Sequence, residues 1–291
     1  MFRTRRSVML LVIAAAVLPA CVLRGPMTQT FGFRPKAMRD GRTTPTEWGW
    51  ASARLDTIAR RDSAGGLLAW WGPVGSGVAP CAGALLLHGK GKNRAEMLAI
   101  GQALQGAGIS VLIPDYRGYG GTEGTPTAAG VFDDARLAYR SLRERLNDST
   151  LPMLVVGHSM GTALAARVTR DFQPTATVYM SPFSRISSLL RSQAGALGPR
   201  MFDTTVFAFN PAEDAVAGIG RRMVLVGGRD LLIKGSESDA FVAALPAVPV
   251  IRVPRATHEG LLTAPEAVSA VRDSLVTWAG CSTGGGRGLE H

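Results

Sequence analysis

Short, continuous apolar runs alternate along most of this chain with longer stretches in which apolar positions recur every three or four residues. The runs cover residues 67–71, 84–87, 110–114, 153–156, 177–180, 223–226 and 248–253, each of strand length. Helical spacing predicts helices over about 94–105, 132–146, 161–170 and 264–278. Runs that are apolar at every position mark strands covered on both faces. Their alternation with helices predicts an α/β fold with a mostly parallel sheet between two helical layers. In such sheets ligands bind beyond the carboxyl ends of the strands. His88, Asp115, Ser159, Asp230 and His258 all follow predicted strands, so the chemistry is expected along that edge.

The two ends depart from this pattern. Arg3, Arg5 and Arg6 precede an apolar run over 8–18, which is shorter than the roughly 20 residues that cross a bilayer. Leu18-Pro19-Ala20-Cys21 follows and resembles the lipobox of bacterial lipoproteins. That resemblance implies a signal peptide over 1–20, lipidation at Cys21 and a mature chain tethered to the extracytoplasmic side of a membrane. A soluble secreted or periplasmic protein is the alternative. Residues 21–63 carry Gly, Pro, Thr and Arg without a clear period and read as a spacer and N-terminal extension, in which Trp48 and Trp50 are available to pack on the body. The folded domain is expected over 64–279. A disordered tail is expected over 280–291, where Leu289-Glu290-His291 resembles an expression-tag remnant.

Composition narrows the function classes. The 291 residues are 46% apolar and 19% charged, a globular mixture. The 32 basic and 22 acidic residues give a net charge of +10; without residues 1–20 the balance is 29 against 22. Only Lys36, Lys90, Lys92 and Lys234 are lysines. The arginines are scattered and no run of five basic residues occurs, so nucleic acid is not an expected partner. Three cysteines without a Cys-x-x-Cys, and four histidines, give no structural zinc pattern. No metal or organic cofactor is expected.

Gly157-His158-Ser159-Met160-Gly161 lies between a predicted strand and a predicted helix. A serine in such a turn is held at the top of the sheet, with glycines on both sides where side chains would clash. The amides that open the following helix face charge developing beside it. Serine needs a base, and His258 is the candidate, with Asp230 positioned 28 residues earlier to orient it. The order Ser, Asp, His matches successive strand ends. The turn His88-Gly89-Lys90-Gly91-Lys92-Asn93 supplies backbone amides, so the oxyanion donors are assigned to the N–H of Lys90 and of Met160. The turn lacks the spacing of a phosphate-binding loop.

Together these motifs resemble the α/β-hydrolase superfamily over about residues 64–279. Asp115-Tyr116-Arg117-Gly118-Tyr119-Gly120-Gly121 resembles the loop after strand four of ABHD-type serine hydrolases. The resemblance implies eight strands with one antiparallel strand near the start, helices on both faces and hydrolysis through an acyl-serine intermediate. It places the triad acid after strand seven, where Asp230 lies, and makes Asp115 structural. Only about 40 residues separate Met180 from Met223, room for a small apolar cap from Leu189-Leu190, Met201-Phe202 and Phe207-Ala208-Phe209. That favours cleavage of carboxylic esters or thioesters over triglycerides, with a small-molecule or lipid-like acyl substrate. Core packing explains those aromatics equally well. Lys90 and Lys92 read either as favouring anionic substrates or as solubilising. Cys81 and Cys281 are expected at the pole opposite the chemistry, where an oxidising compartment permits a disulfide. Two other functions stay open: a peptidase or acyltransferase acting on cell-envelope material with the same triad, and a non-catalytic envelope binding protein.

Overall fold

A computed structural model describes residues 32–60, 65–201 and 207–281; the expected signal peptide, the lipidation site Cys21, Phe202 and residues 282–291 lie outside the described residues. The strands are β1 (Arg54–Ile58), β2 (Leu67–Gly72), β3 (Ala82–Leu87), β4 (Ile109–Pro114), β5 (Met153–His158), β6 (Ala176–Met180), β7 (Arg221–Gly227) and β8 (Val250–Val253). They form one sheet in the order β1-β2-β4-β3-β5-β6-β7-β8. Strands β3 to β8 run parallel, and β2 alone is antiparallel to both of its neighbours. The helices of six residues or more are α1 (Leu98–Gly106), α2 (Ala128–Leu146), α3 (Met160–Phe172), α4 (Ile186–Ala194), α5 (Pro211–Val216), α6 (Gly235–Ala243) and α7 (Pro265–Ala279).

Every residue of β3 and β5 is buried, because the sheet is covered twice. Leu85, Leu87 and Val155 pack with α2 and α3 on one face, while Ala84, Leu86, Leu154 and Val156 pack with α1 and α7 on the other. This two-residue alternation between two apolar layers is why these strands read as continuous apolar runs. The parallel strands all end along one edge, from which the turns after β3, β5, β7 and β8 emerge.

The N-terminal extension differs from the spacer expected over 21–63. Residues 54–58 form β1, an edge strand paired antiparallel with β2. Phe33 is fully buried, and Trp50 is 2% exposed. The Trp50 ring fills space that Gly72 and Gly101 leave open, since an added Cβ would lie 2.5 Å and 2.9 Å from it. Trp50 Nε1 donates to Gln105 Oε1 (2.7 Å), and Trp70 Nε1 donates to the Thr43 carbonyl (2.9 Å). Burying a large apolar side chain stabilises by about 1.5–3 kcal/mol. A few aromatic anchors therefore fix a segment that has no helical or strand period.

The other boundary also shifts. Gly280 and Cys281, expected at the start of the tail, are structured: Gly280 closes α7 in a left-handed conformation at φ +68°, and Cys281 bonds to Cys81. The two Cα atoms are 5.4 Å apart and 200 residues apart in sequence. The bond ties the end of the last helix to the residue before β3. Closing so long a loop removes much of the unfolded chain's freedom. A Cys281→Ser variant should lose roughly 2–5 kcal/mol of stability in urea unfolding. Thiol labelling of the denatured, unreduced wild type should find neither cysteine reactive. An unchanged urea midpoint, or two reactive thiols, contradicts the bond.

Candidate active site

The turn from β5 into α3 is the sharpest at the active edge. Ser159 adopts φ +54° and ψ −119°, a region that side chains rarely occupy. The turn closes only because both flanking positions are glycine. A Cβ on Gly157 would lie 2.3 Å from the Gly161 carbonyl oxygen, and one on Gly161 would lie 2.1 Å from that of Leu87. The Ser159 amide donates to the Met180 carbonyl (2.9 Å), and the Thr162 hydroxyl donates to the Ser159 carbonyl (2.6 Å). These contacts hold the strained residue in place at the N-terminus of α3, the positive end of that helix.

Asp230 and His258 converge on the same edge from the loops after β7 and β8. His258 Nδ1 lies 2.7 Å from Asp230 Oδ2. A carboxylate only accepts, so Nδ1 carries the proton and Nε2 keeps its lone pair. The other Asp230 oxygen accepts from the amides of Leu232 (2.9 Å) and Ile233 (2.8 Å). Burial resists the charge on Asp230, but the His258 hydrogen bond, the His258 charge and the Ile233 amide together hold its pKa below the ordinary carboxylate value. Ser159 and His258 border one cavity of about 490 Å³. No hydrogen bond joins them among the described contacts; in resting sites this link commonly tightens only when substrate arrives. Lys90 and Met160 border the same cavity, as expected for residues on either side of the serine.

Sequence reasoning missed the carboxylate beneath the turn after β3. Glu96 lies in the short 3-10 helix Arg94–Met97, and its side chain is 7% exposed. One of its oxygens accepts from the Gly89 amide (2.7 Å), and the other approaches His158 Nδ1 at 3.3 Å. His158 Nε2 lies 3.1 Å from the His258 carbonyl, so that nitrogen donates. The His158 and His258 rings are 4.6 Å apart. One buried acid thus links the Gly89-Lys90 turn, through His158, to the loop that carries His258. In the sequence Glu96 looks like any acid in the first turn of a helix.

His88 and Asp115, which also follow strands, take structural places. Asp115 is fully buried; it accepts from the Arg94 amide (2.6 Å) and is ion-paired with the Arg94 guanidinium, which also donates to Gly120 and Thr43 carbonyls. His88 stacks on Tyr116 at 4.2 Å and donates from Nδ1 to the Gly89 carbonyl (2.8 Å). The residues expected to form a cap are divided. Leu189, Leu190, Phe207 and Phe209 are buried and line the cavity, so they serve as both pocket wall and core, whereas Phe202 lies outside the described residues.

Glu96 gives the site a pH signature. Burial opposes its charge, but His158 and the Gly89 amide outweigh burial and lower its pKa from 4.5 to about 2. A folded-state pKa below the unfolded one adds stability above the unfolded value, and that stability is lost as pH falls from about 5 towards 2. The contribution is on the order of 3 kcal/mol. Glu96→Gln should be less stable at pH 7 by an amount of that order and should show a flatter stability curve between pH 5 and pH 2. Parallel curves in urea unfolding at several pH values contradict this.

Comparisons with known proteins agree with this geometry. A family model described as serine aminopeptidase, S33, matches residues 79–210. An uncharacterized protein of Mycobacterium tuberculosis is 29% identical over 193 residues, covering 66% of this chain and 67% of that protein. The lysophosphatidylserine lipase ABHD12 of Danio rerio is 31% identical over 115 residues, but the match covers 37% of this chain and only 30% of the lipase. A solved esterase of Pyrococcus furiosus superposes with a TM-score of 0.67 at 21% identity, covering 84% of this chain and 97% of the esterase. With its eight-stranded sheet and its serine turn at the end of β5, the chain belongs to the α/β-hydrolase superfamily as a serine hydrolase.

Proposed function

We propose that this hydrolase cleaves carboxylic esters or thioesters through an acyl-serine intermediate. The observation that carries the reading is the pairing of His258 Nδ1 with Asp230, which leaves Nε2 as a proton acceptor on the cavity that the strained Ser159 also borders. Nε2 takes the hydroxyl proton as Ser159 Oγ attacks the carbonyl carbon. The tetrahedral oxyanion is received by the Lys90 and Met160 amides, each worth about 3–4 kcal/mol in the transition state. Collapse expels the alcohol or thiol, which takes the proton from His258. A water then attacks the acyl-serine, with His258 again as base, and releases the acid. The Asp230 charge fixes the imidazole tautomer and offsets its transient positive charge.

The buried Leu189, Leu190, Phe207 and Phe209 supply an apolar wall for an acyl chain. The printed names of similar proteins, an esterase and a lysophosphatidylserine lipase, favour such a substrate. A peptidase reading draws on the description of the family model. It is disfavoured because both carboxylates bordering the cavity are engaged, Glu96 with Gly89 and Glu259 with Lys92, so neither stands ready for a substrate ammonium.

We further propose that residues 1–20 are removed and that Cys21 carries the lipid that tethers the domain at the cell envelope. The Cys81–Cys281 disulfide supports an oxidising compartment. No helix among the described residues is long and apolar enough to cross a membrane. A Cys21→Ala variant should move from the membrane fraction to the soluble fraction, and retention in membranes contradicts the anchor.

Ser159→Ala should abolish both fluorophosphonate labelling and hydrolysis of p-nitrophenyl esters, a loss of at least about 10³-fold, with the circular dichroism spectrum unchanged. Labelling that persists would assign the nucleophile elsewhere. Release of product from peptide substrates but not from esters would favour the peptidase.

A further inference from the structure

The chain has 32 basic residues, but only four are lysines. All four border the active-site cavity: Lys36, Lys90, Lys92 and Lys234, joined by Arg34. They arrive from separate places in the sequence. Arg34 and Lys36 lie on the N-terminal segment, Lys90 and Lys92 on the turn after β3, and Lys234 just before α6. Lys36 is fixed by its carbonyl, which accepts from the Gly120 amide (2.9 Å). Beside it, the Phe33 carbonyl accepts from the Tyr119 hydroxyl (2.6 Å) and the Gly91 amide (3.3 Å). The N-terminal segment is thus strapped across the mouth, and it brings two cations there.

The lining is positive even after its internal pairs are counted. Five cations face two carboxylates, Glu96 and Glu259. Glu96 is held by Gly89 and His158, and Glu259 pairs with Lys92 at 2.6 Å. Arg34 and Lys90 stand close enough for their charges to interact: burial first, and then the Arg34 charge, push the Lys90 ammonium below its ordinary value. Like charges gathered at one mouth raise the local concentration of anions and are relieved by one that binds. The opposite wall is apolar, built from Phe183, Leu189, Leu190, Phe207 and Phe209. An anion set among those side chains would be desolvated without a partner, so the charge of a substrate belongs at the rim and its hydrocarbon at the wall.

We propose that the cavity selects single-chain acyl esters whose alcohol carries an anionic group, with Arg34, Lys36, Lys90 and Lys234 receiving that group while the acyl chain lies along the apolar wall. This rests on the ester-hydrolase reading and names the substrate class for it. Cleavage of the ester bond by water then yields a fatty acid and a free anionic alcohol.

The test uses dodecanoyl esters of glycerol, of glycerol 3-phosphate and of glyceric acid, assayed below their aggregation concentrations with the purified, disulfide-bonded protein. At low salt, kcat/KM for the two anionic esters should exceed that for the neutral ester by about tenfold or more, chiefly through KM. The ratio should shrink towards one in 0.5 M NaCl, as screening requires. The double variant Lys36→Gln/Lys234→Gln should lower the anionic-to-neutral ratio. A preference for the phosphate ester alone narrows the class to phosphates and supports the proposal. Turnover of the neutral ester with no preference for either anion overturns the proposal and leaves the ester-hydrolase reading standing. Cleavage of none of the three overturns both.

Discussion

The site depends on one steric constraint, the close approach of β5, α3 and the end of β3 around Ser159. Two backbone oxygens occupy the positions where Cβ atoms of residues 157 and 161 would stand, so glycine at both is a condition of the turn. The turn in turn forces Ser159 to φ +54°, a strained conformation that the surrounding sheet must over-determine. The sheet does so by burying every residue of β3 and β5 between two apolar layers. Core packing and the exposure of the serine at the strand edge are therefore two consequences of the same geometry.

Around that turn the polar groups form a connected frame rather than a set of independent contacts. Asp230 is saturated by His258 and two amides, and Glu96 joins the Gly89-Lys90 turn to the His258 loop through His158. Buried carboxylates of this kind are tolerable only when their partners are complete. Both carry their charge because nearby donors outweigh burial, which fixes the direction of each pKa. The result is preorganisation: the base, its orienting acid and the turn carrying Lys90 are set before any substrate enters.

Much of this was legible in the sequence because the informative residues obey local rules. β3 and β5 are apolar at every position, and the spacing of Gly157, Ser159 and Gly161 carries its own steric reason. Asp230 and His258 were legible as polar residues just beyond strands. β1 was not, since Arg54–Ile58 is an edge strand with charged and polar positions and only Ile58 buried. Residues 33–50 lack any period, and their placement follows from long-range burial of Phe33 and Trp50, which no local pattern encodes. Glu96 was missed for the same reason: its partners lie 7 and 62 positions away, and only the fold brings His158 to it. The gathering of the lysines at one mouth is likewise a property of three dimensions.

The central claim is that Ser159, His258, Asp230 and two backbone amides act as one acyl-transfer device. A crystal structure of the protein inactivated with an alkyl phosphonate tests it most directly. The account predicts phosphorus bonded to Ser159 Oγ, the phosphonyl oxygen within about 3.1 Å of both the Lys90 and Met160 amides, and His258 Nε2 in hydrogen-bond reach of the adduct. Phosphorus on any other residue, or a phosphonyl oxygen turned away from both amides, would contradict it.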